Sequence, residues 1–159
     1  MGSDSWMIRH ATPDDLPAVV ALNDALFQED SGQRDPLLNH DWAKTHGADY
    51  FSGLLKNPNY TILVAEHDAT VIGYLAGSNR RAGAMRPVPS ADLESMFVLP
   101  AWRSSGVGRH LAITFLDWAR DHGVVWVTVT AYAANTGACA FYERIGFGSH
   151  TVTLGQQLT

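Results

Sequence analysis

The residues Arg103-Ser104-Ser105-Gly106-Val107-Gly108-Arg109 lie between the apolar run 93–99 and a helical pattern ending near His122, and their types suit an anion-holding turn. A strand that runs through a turn into a helix leaves the first turn's N–H groups unpaired at the positive end of the helix. A phosphate or diphosphate is the natural ligand there. Gly106 and Gly108 let the backbone approach oxygens closely, Ser104 and Ser105 bring hydroxyl donors, and Arg103 and Arg109 bring charge. A P-loop would follow its last glycine with Lys and then Ser or Thr, but Gly108 is followed by Arg109-His110. A dinucleotide fingerprint would need a glycine at position 111, which is Leu, and an acid closing the next strand, which 124–129 lacks.

The elements that must position this turn follow from periodicity. Met7–His10 and 60–66 read as strands, and His67-Asp68-Ala69-Thr70 as a hairpin turn into a strand over 71–78. Thr12 and Pro13 open a helix with Leu16, Val19, Val20, Leu22 and Leu26 on one face, running to about Phe27. The stretch 28–47, broken by Gly32, Pro36 and Gly47, is expected to be mostly loop, followed by a short helix over 49–55. A loop over 79–90 leads to a strand over 92–98, the helix 106–122 closed by Gly123, a strand over 124–130 and a helix over 136–144 closed by Gly146. A last strand over 148–154 is expected, with the potential to pair across a homodimer. This order contains one strand-helix-strand unit, so its two strands should be parallel neighbours in an otherwise antiparallel sheet. The fold class is α+β, mixed, in a single domain spanning 1–159.

A chain of 159 residues buries about two thirds of its unfolded surface and needs no covalent staple. With 46% hydrophobic and 17% charged residues it has ordinary globular composition. Its single cysteine, Cys139, excludes an internal disulfide and a cysteine metal cluster, and the seven histidines form no close ligand pair, so no metal is expected. A net charge of -5 with no basic cluster longer than Arg80-Arg81 argues against nucleic acid. No apolar run approaches the roughly 20 residues of a bilayer span, and the N-terminus does not open like a signal peptide, so no membrane association and a cytoplasmic location are expected.

Taken together, Leu93-Glu94-Ser95-Met96-Phe97-Val98, Pro100, the R-x-x-G-x-G turn, and Asn135 followed by Phe141-Tyr142-Glu143-Arg144-Ile145-Gly146-Phe147 resemble the GNAT superfamily of acetyl-CoA-dependent N-acetyltransferases. The likeness covers most of the chain, including Ile8-Arg9, Thr12, Asp15 and Leu16 and the hairpin 63–74. It implies acetyl-CoA as cosubstrate, in a gap between parallel strands that splay near Val98 and Val129. Backbone groups of Met96, Phe97 and Val98 would pair with the pantetheine arm. Arg103, Ser104, Ser105, Gly106, Val107, Gly108 and Arg109 would hold the diphosphate, and Asn135 would contact the pantetheine end. Ser104 and Ser105 stand where a basic residue is common in the family, which shifts the phosphate contact toward N–H groups and Arg103.

Acetyl transfer to an amine needs a group that takes a proton from the amine and one that protects the departing thiolate. Glu94, on the central strand, is the candidate base. Tyr142 matches the family tyrosine near the coenzyme sulfur and is the candidate acid. The acceptor, expected to be a small-molecule amine, should meet the irregular segments 29–49 and 79–90, where Asp30 and Arg34 are candidate contacts. A peptide amine, a non-catalytic acyl-CoA-binding regulatory module and a binder of another nucleotide are the competing readings.

Overall fold

The computed structural model describes residues 5–159. Its frame is a five-stranded sheet in sequence order: β1 (Met7–His10), β2 (Tyr60–His67), β3 (Thr70–Arg80), β4 (Ser90–Val98) and β5 (Trp126–Val129). Neighbours from β1 to β4 are antiparallel, and β4 and β5 are parallel, joined through helix α4 (Val107–Asp121). The β2–β3 hairpin turns on Asp68 and Ala69, both at positive φ, as a type I′ two-residue turn requires.

Each sheet face carries its own apolar layer. On one, Leu111, Phe115 and Ala119 of α4 pack on Leu63, Leu75, Ala91 and Leu93, and Tyr142 of helix α5 (Thr136–Ile145) joins this side. On the other, Val19 and Leu22 of helix α1 (Leu16–Leu26) and Phe51 and Leu54 of helix α3 (Trp42–Leu55) cover Ile62, Val64, Tyr74 and Phe97. Helix α1 is anchored to β1 by Asp15, whose carboxylate receives Arg9 Nη1 at 2.7 Å and Nη2 at 3.0 Å. The guanidinium holds that carboxyl below its usual range.

Three expectations need correction. The chain does not become a loop after Phe27: it continues as a π-helical turn, Phe27–Ser31, into a short helix α2 (Gly32–Arg34) before breaking near Pro36. Gly47 does not interrupt anything, because α3 starts at Trp42 and passes through it. A Cβ there would lie 3.3 Å from Val20, so the glycine lets α1 and α3 approach, and that packing outweighs its poor helix propensity. The strand expected over 148–154 is absent; the segment has no regular structure, with Val152 and Leu154 more than four-fifths exposed. With no face buried against a neighbour, its β-favouring residues do not suffice to make a strand. Among the described residues no helix is long and apolar enough to cross a membrane, and no group of three or more acidic, histidine or cysteine side chains could hold a metal.

Candidate functional site

The site originates in a slip along β4. Ala76 of β3 faces Ser95, but the next residue, Gly77, faces Leu93, so Glu94 is the extra residue of a bulge. Ala91 and Leu93 belong to the α4 layer before the bulge. Beyond it Met96 and Val98 take that side and Phe97 turns to the α1–α3 layer. Without the bulge, 91, 93 and 97 would all point one way. The extra residue twists β4 away from β5. Their pairing runs from Ser90 with Trp126 to Leu93 with Val129 and stops, while β4 continues to Val98. Glu94 to Val98 therefore present an edge with no strand beside it.

This edge is one wall of a cleft of about 700 Å³, within the usual size of small-molecule sites. Ser104, Gly106, Gly108 and Arg109 line it at the start of α4, Gly137, Ala138, Phe141, Tyr142 and Arg144 from α5, and Leu26, Glu29, Asp30 and Arg34 from the end of α1 onward. Gly106 sits at the N-terminal boundary of α4 with φ +93°, a conformation that favours glycine, and no side chain caps the helix. By contrast α5 is capped, Asn135 Oδ1 accepting from the Ala138 N–H at 3.1 Å. The open first turn of α4 keeps the donors and positive potential that an anion needs. Gly108 allows close packing, since a Cβ there would lie 3.4 Å from the Phe141 ring.

Several candidate side chains are engaged with the protein itself. Arg103 Nη1 and Nη2 each donate to Glu29 at 2.7 Å, its Nε donates to the Val98 carbonyl at 3.0 Å, and the guanidinium lies over the Phe97 ring. Ser105 Oγ donates to the Trp102 carbonyl and closes the turn. Ser104 has a positive φ of 63°. Asp30 Oδ1 accepts from Arg34 Nε at 2.8 Å and from Asn135 Nδ2 at 3.1 Å. The π turn thus sends Glu29 to the β4–α4 connection and Asp30 to the β5–α5 connection, bridging both walls of the cleft. A π turn is uncommon and recurs at functional sites.

Val107 is fully buried in the core layer under α4 and does not line the cleft. Glu94 is exposed, and its Oε2 accepts from Tyr50 Oη at 2.9 Å. Among the described residues it has no cationic partner within ion-pair distance, whereas Glu29 and Asp30 are both paired. Tyr142 is largely enclosed by Phe141 and Phe147, and burial pushes its phenol up to about 12. The apolar positions 91, 93, 96 and 98 carry the signature of the bulge, a period-2 pattern that skips once. Tyr50 gave no such signal, being 44 residues from its partner.

The mixed sheet, with its parallel pair ending beside an uncapped helix start, sets the fold, and the chain's sequence sets the class. Residues 18–147 match the family model described as Acetyltransferase (GNAT) family, and the chain belongs to that family. It is 26% identical over 152 residues to an uncharacterized N-acetyltransferase of Methanocaldococcus jannaschii, covering 95% of this chain and 64% of that protein. It is 28% identical over 144 residues to an aminoglycoside N(6')-acetyltransferase type 1 of Stenotrophomonas maltophilia, covering 88% of this chain and 84% of that one. The chain spans 44% of another relative, the spore coat polysaccharide biosynthesis protein SpsD of Bacillus subtilis. Among solved structures, a point mutant of the BH1408 protein from Bacillus halodurans shares the fold with a TM-score of 0.88 at 20% identity, covering 96% of this chain and 99% of that one. An aminoglycoside N-acetyltransferase solved in complex with CoA has a TM-score of 0.77 at 20% identity, covering 97% and 95%.

Proposed function

We propose that this chain is an acetyl-CoA-dependent N-acetyltransferase that acetylates a primary amine of a small molecule by direct attack on the thioester. The observation that carries the reading is the junction of three features in one cleft: the strandless edge 94–98, the uncapped turn at Gly106, and the unpaired carboxylate Glu94.

The residues present fit the coenzyme. Met96, Phe97 and Val98 offer backbone groups to its pantetheine amides, as an added strand would. The turn 103–109 offers N–H groups to the diphosphate. Arg109 and Arg144, which line the cleft without a carboxylate partner among the described residues, supply positive charge. Acetyl-CoA brings an acyl group activated by its thiol leaving group. At the acceptor, Glu94 takes a proton from the ammonium, and the freed nitrogen forms the new C–N bond as the C–S bond breaks. Tyr142 gives its proton to the sulfur, the acylated nitrogen sheds its second proton to solvent as the amide forms, and Tyr142 regains a proton from solvent. Its raised pKa, about 12, keeps that proton in place at neutral pH.

The charge layout points to the acceptor class. Glu29 and Asp30 are neutralised by Arg103 and Arg34, which leaves Glu94 as the carboxylate free to draw in a cation. Asp30 and Arg34 stand at the acceptor entrance as contacts for the rest of the molecule. The similarity to an aminoglycoside acetyltransferase supports an acceptor with amino groups. A peptide terminus is the second reading, supported by 33% identity over 97 residues to the N-alpha-acetyltransferase RimI of Mycobacterium tuberculosis. A panel of polyamines, amino sugars and short peptides, read by thiol release from acetyl-CoA, tests the proposal. Turnover with at least one amine, reduced about a hundredfold or more in Glu94→Gln, is expected. Equal turnover in that variant would remove Glu94 from the reaction.

A further inference from the structure

Tyr50 lies in the last turns of α3, on the sheet face opposite α4, and its hydroxyl reaches the one cleft carboxylate that no cation neutralises. The phenol is held in place by rings. It meets Trp42 edge-on at 5.2 Å and Phe51 edge-on at 5.2 Å, and Trp42 in turn stacks on Phe27 at 5.9 Å and on His46 at 6.2 Å. Phe27 opens the π turn that carries Glu29 and Asp30. The ring cluster therefore links the cleft's far wall to the residue that grips Glu94. A bulge side chain at the rim of a sheet has no strand neighbour to fix its rotamer, so an exposed glutamate there would otherwise sample several orientations.

We propose that Tyr50 is the positioning residue for Glu94: its O–H occupies Oε2 and leaves Oε1 as the oxygen that receives the acceptor's proton. Tyr50 itself does not titrate into the reaction. Burial, and the adjacent carboxylate, hold its proton above the ordinary phenol range, so it remains a donor while Oε1 takes the proton that leaves the ammonium. The ring cluster keeps the donor still, and the donor keeps the base aimed. This inference rests on Glu94 being the base.

The test is Tyr50→Phe, which retains the ring and its packing, measured alongside Glu94→Gln and the double variant with acetyl-CoA and an amine that the wild type acetylates. Losing a hydrogen bond to a charged acceptor should lower kcat about ten- to a hundredfold. The affinity for acetyl-CoA, read by calorimetry, and the melting temperature should stay near wild type. The double variant should be no slower than Glu94→Gln alone. Wild-type turnover in Tyr50→Phe beside a slow Glu94→Gln would overturn the positioning role and leave Glu94 as base. Wild-type turnover in Glu94→Gln would instead show that the underlying reading is wrong. A large fall in coenzyme affinity or melting temperature in Tyr50→Phe would reduce the residue to a packing role.

Discussion

Glu29→Gln should make the protein bind coenzyme more tightly. Arg103 opens the turn 103–109 proposed to hold the diphosphate, yet both of its terminal nitrogens are committed to Glu29 at 2.7 Å. A diphosphate that recruits Arg103 must break this pair. The two side chains are 40% and 50% exposed, so solvent screens them and the pair is worth about 0–1 kcal/mol despite its bidentate geometry. Released, that energy corresponds to at most about a fivefold gain in affinity, and the melting temperature should fall by no more than about 4 °C. Titration calorimetry with free CoA reads the effect, at low and high salt, because screening should shrink the difference. In an Arg103→Ala background the same substitution should change nothing. Weaker binding in Glu29→Gln would refute the reasoning, since it would mean that Glu29 holds Arg103 where the diphosphate needs it. An equal gain without Arg103 would refute it too, tracing the effect to removal of a negative charge alone.

Gly106→Ala should strain the turn, since φ is +93° although a Cβ would have room, 3.7 Å from the nearest atom; a loss of about 1–2 kcal/mol in denaturant unfolding, with weaker CoA binding, is expected. Tyr142→Phe should lower turnover about a hundredfold with coenzyme affinity kept, measured by steady-state kinetics and calorimetry; a matching loss of affinity would make the tyrosine structural. Asp15→Asn should cost about 2 kcal/mol at neutral pH, as it leaves the Arg9 guanidinium half-satisfied beside a buried amide. The folded pKa of Asp15 lies below its unfolded value near 3.8, so the wild type's advantage is present above about pH 4 and fades as pH falls through the lower folded pKa. Melting curves of the two proteins should therefore converge in acid and separate above pH 4.

The turn at Gly106 was legible in the sequence because everything it needs is local: a strand, two glycines and a helix within about twenty residues. The β2–β3 hairpin and the closing glycines of α4 and α5 were legible for the same reason, with Gly123 and Gly146 both at positive φ. What local reading misassigned was decided by contacts far along the chain. Gly47 reads as a breaker until Val20 is placed against it. The π turn depends on Arg103 and Asn135, more than seventy residues away, to receive Glu29 and Asp30. Glu94 could be nominated from its strand, and the skipped alternation at 91, 93, 96 and 98 marks a bulge, but only the pairing with β3 makes Glu94 its extra residue, and Tyr50 becomes visible only when α3 brings its hydroxyl to that carboxylate. Most of the candidate coenzyme residues line one cleft and Ser105 and Val107 do not, while the side chains of Arg103, Ser105 and Asn135 have protein partners that single-sequence reasoning does not supply.

Thermal unfolding with acetyl-CoA, free CoA and ATP added separately tests the central claim most directly, because a ligand that binds only the folded state raises stability by mass action. At a hundredfold excess over Kd the gain is about 2.7 kcal/mol, or a rise of roughly 5–11 °C for a chain of this size. The account predicts that rise with acetyl-CoA and CoA, and little with ATP, which has no pantetheine to lie along the edge 94–98. No rise with either CoA species, or an equal rise with ATP, would contradict it.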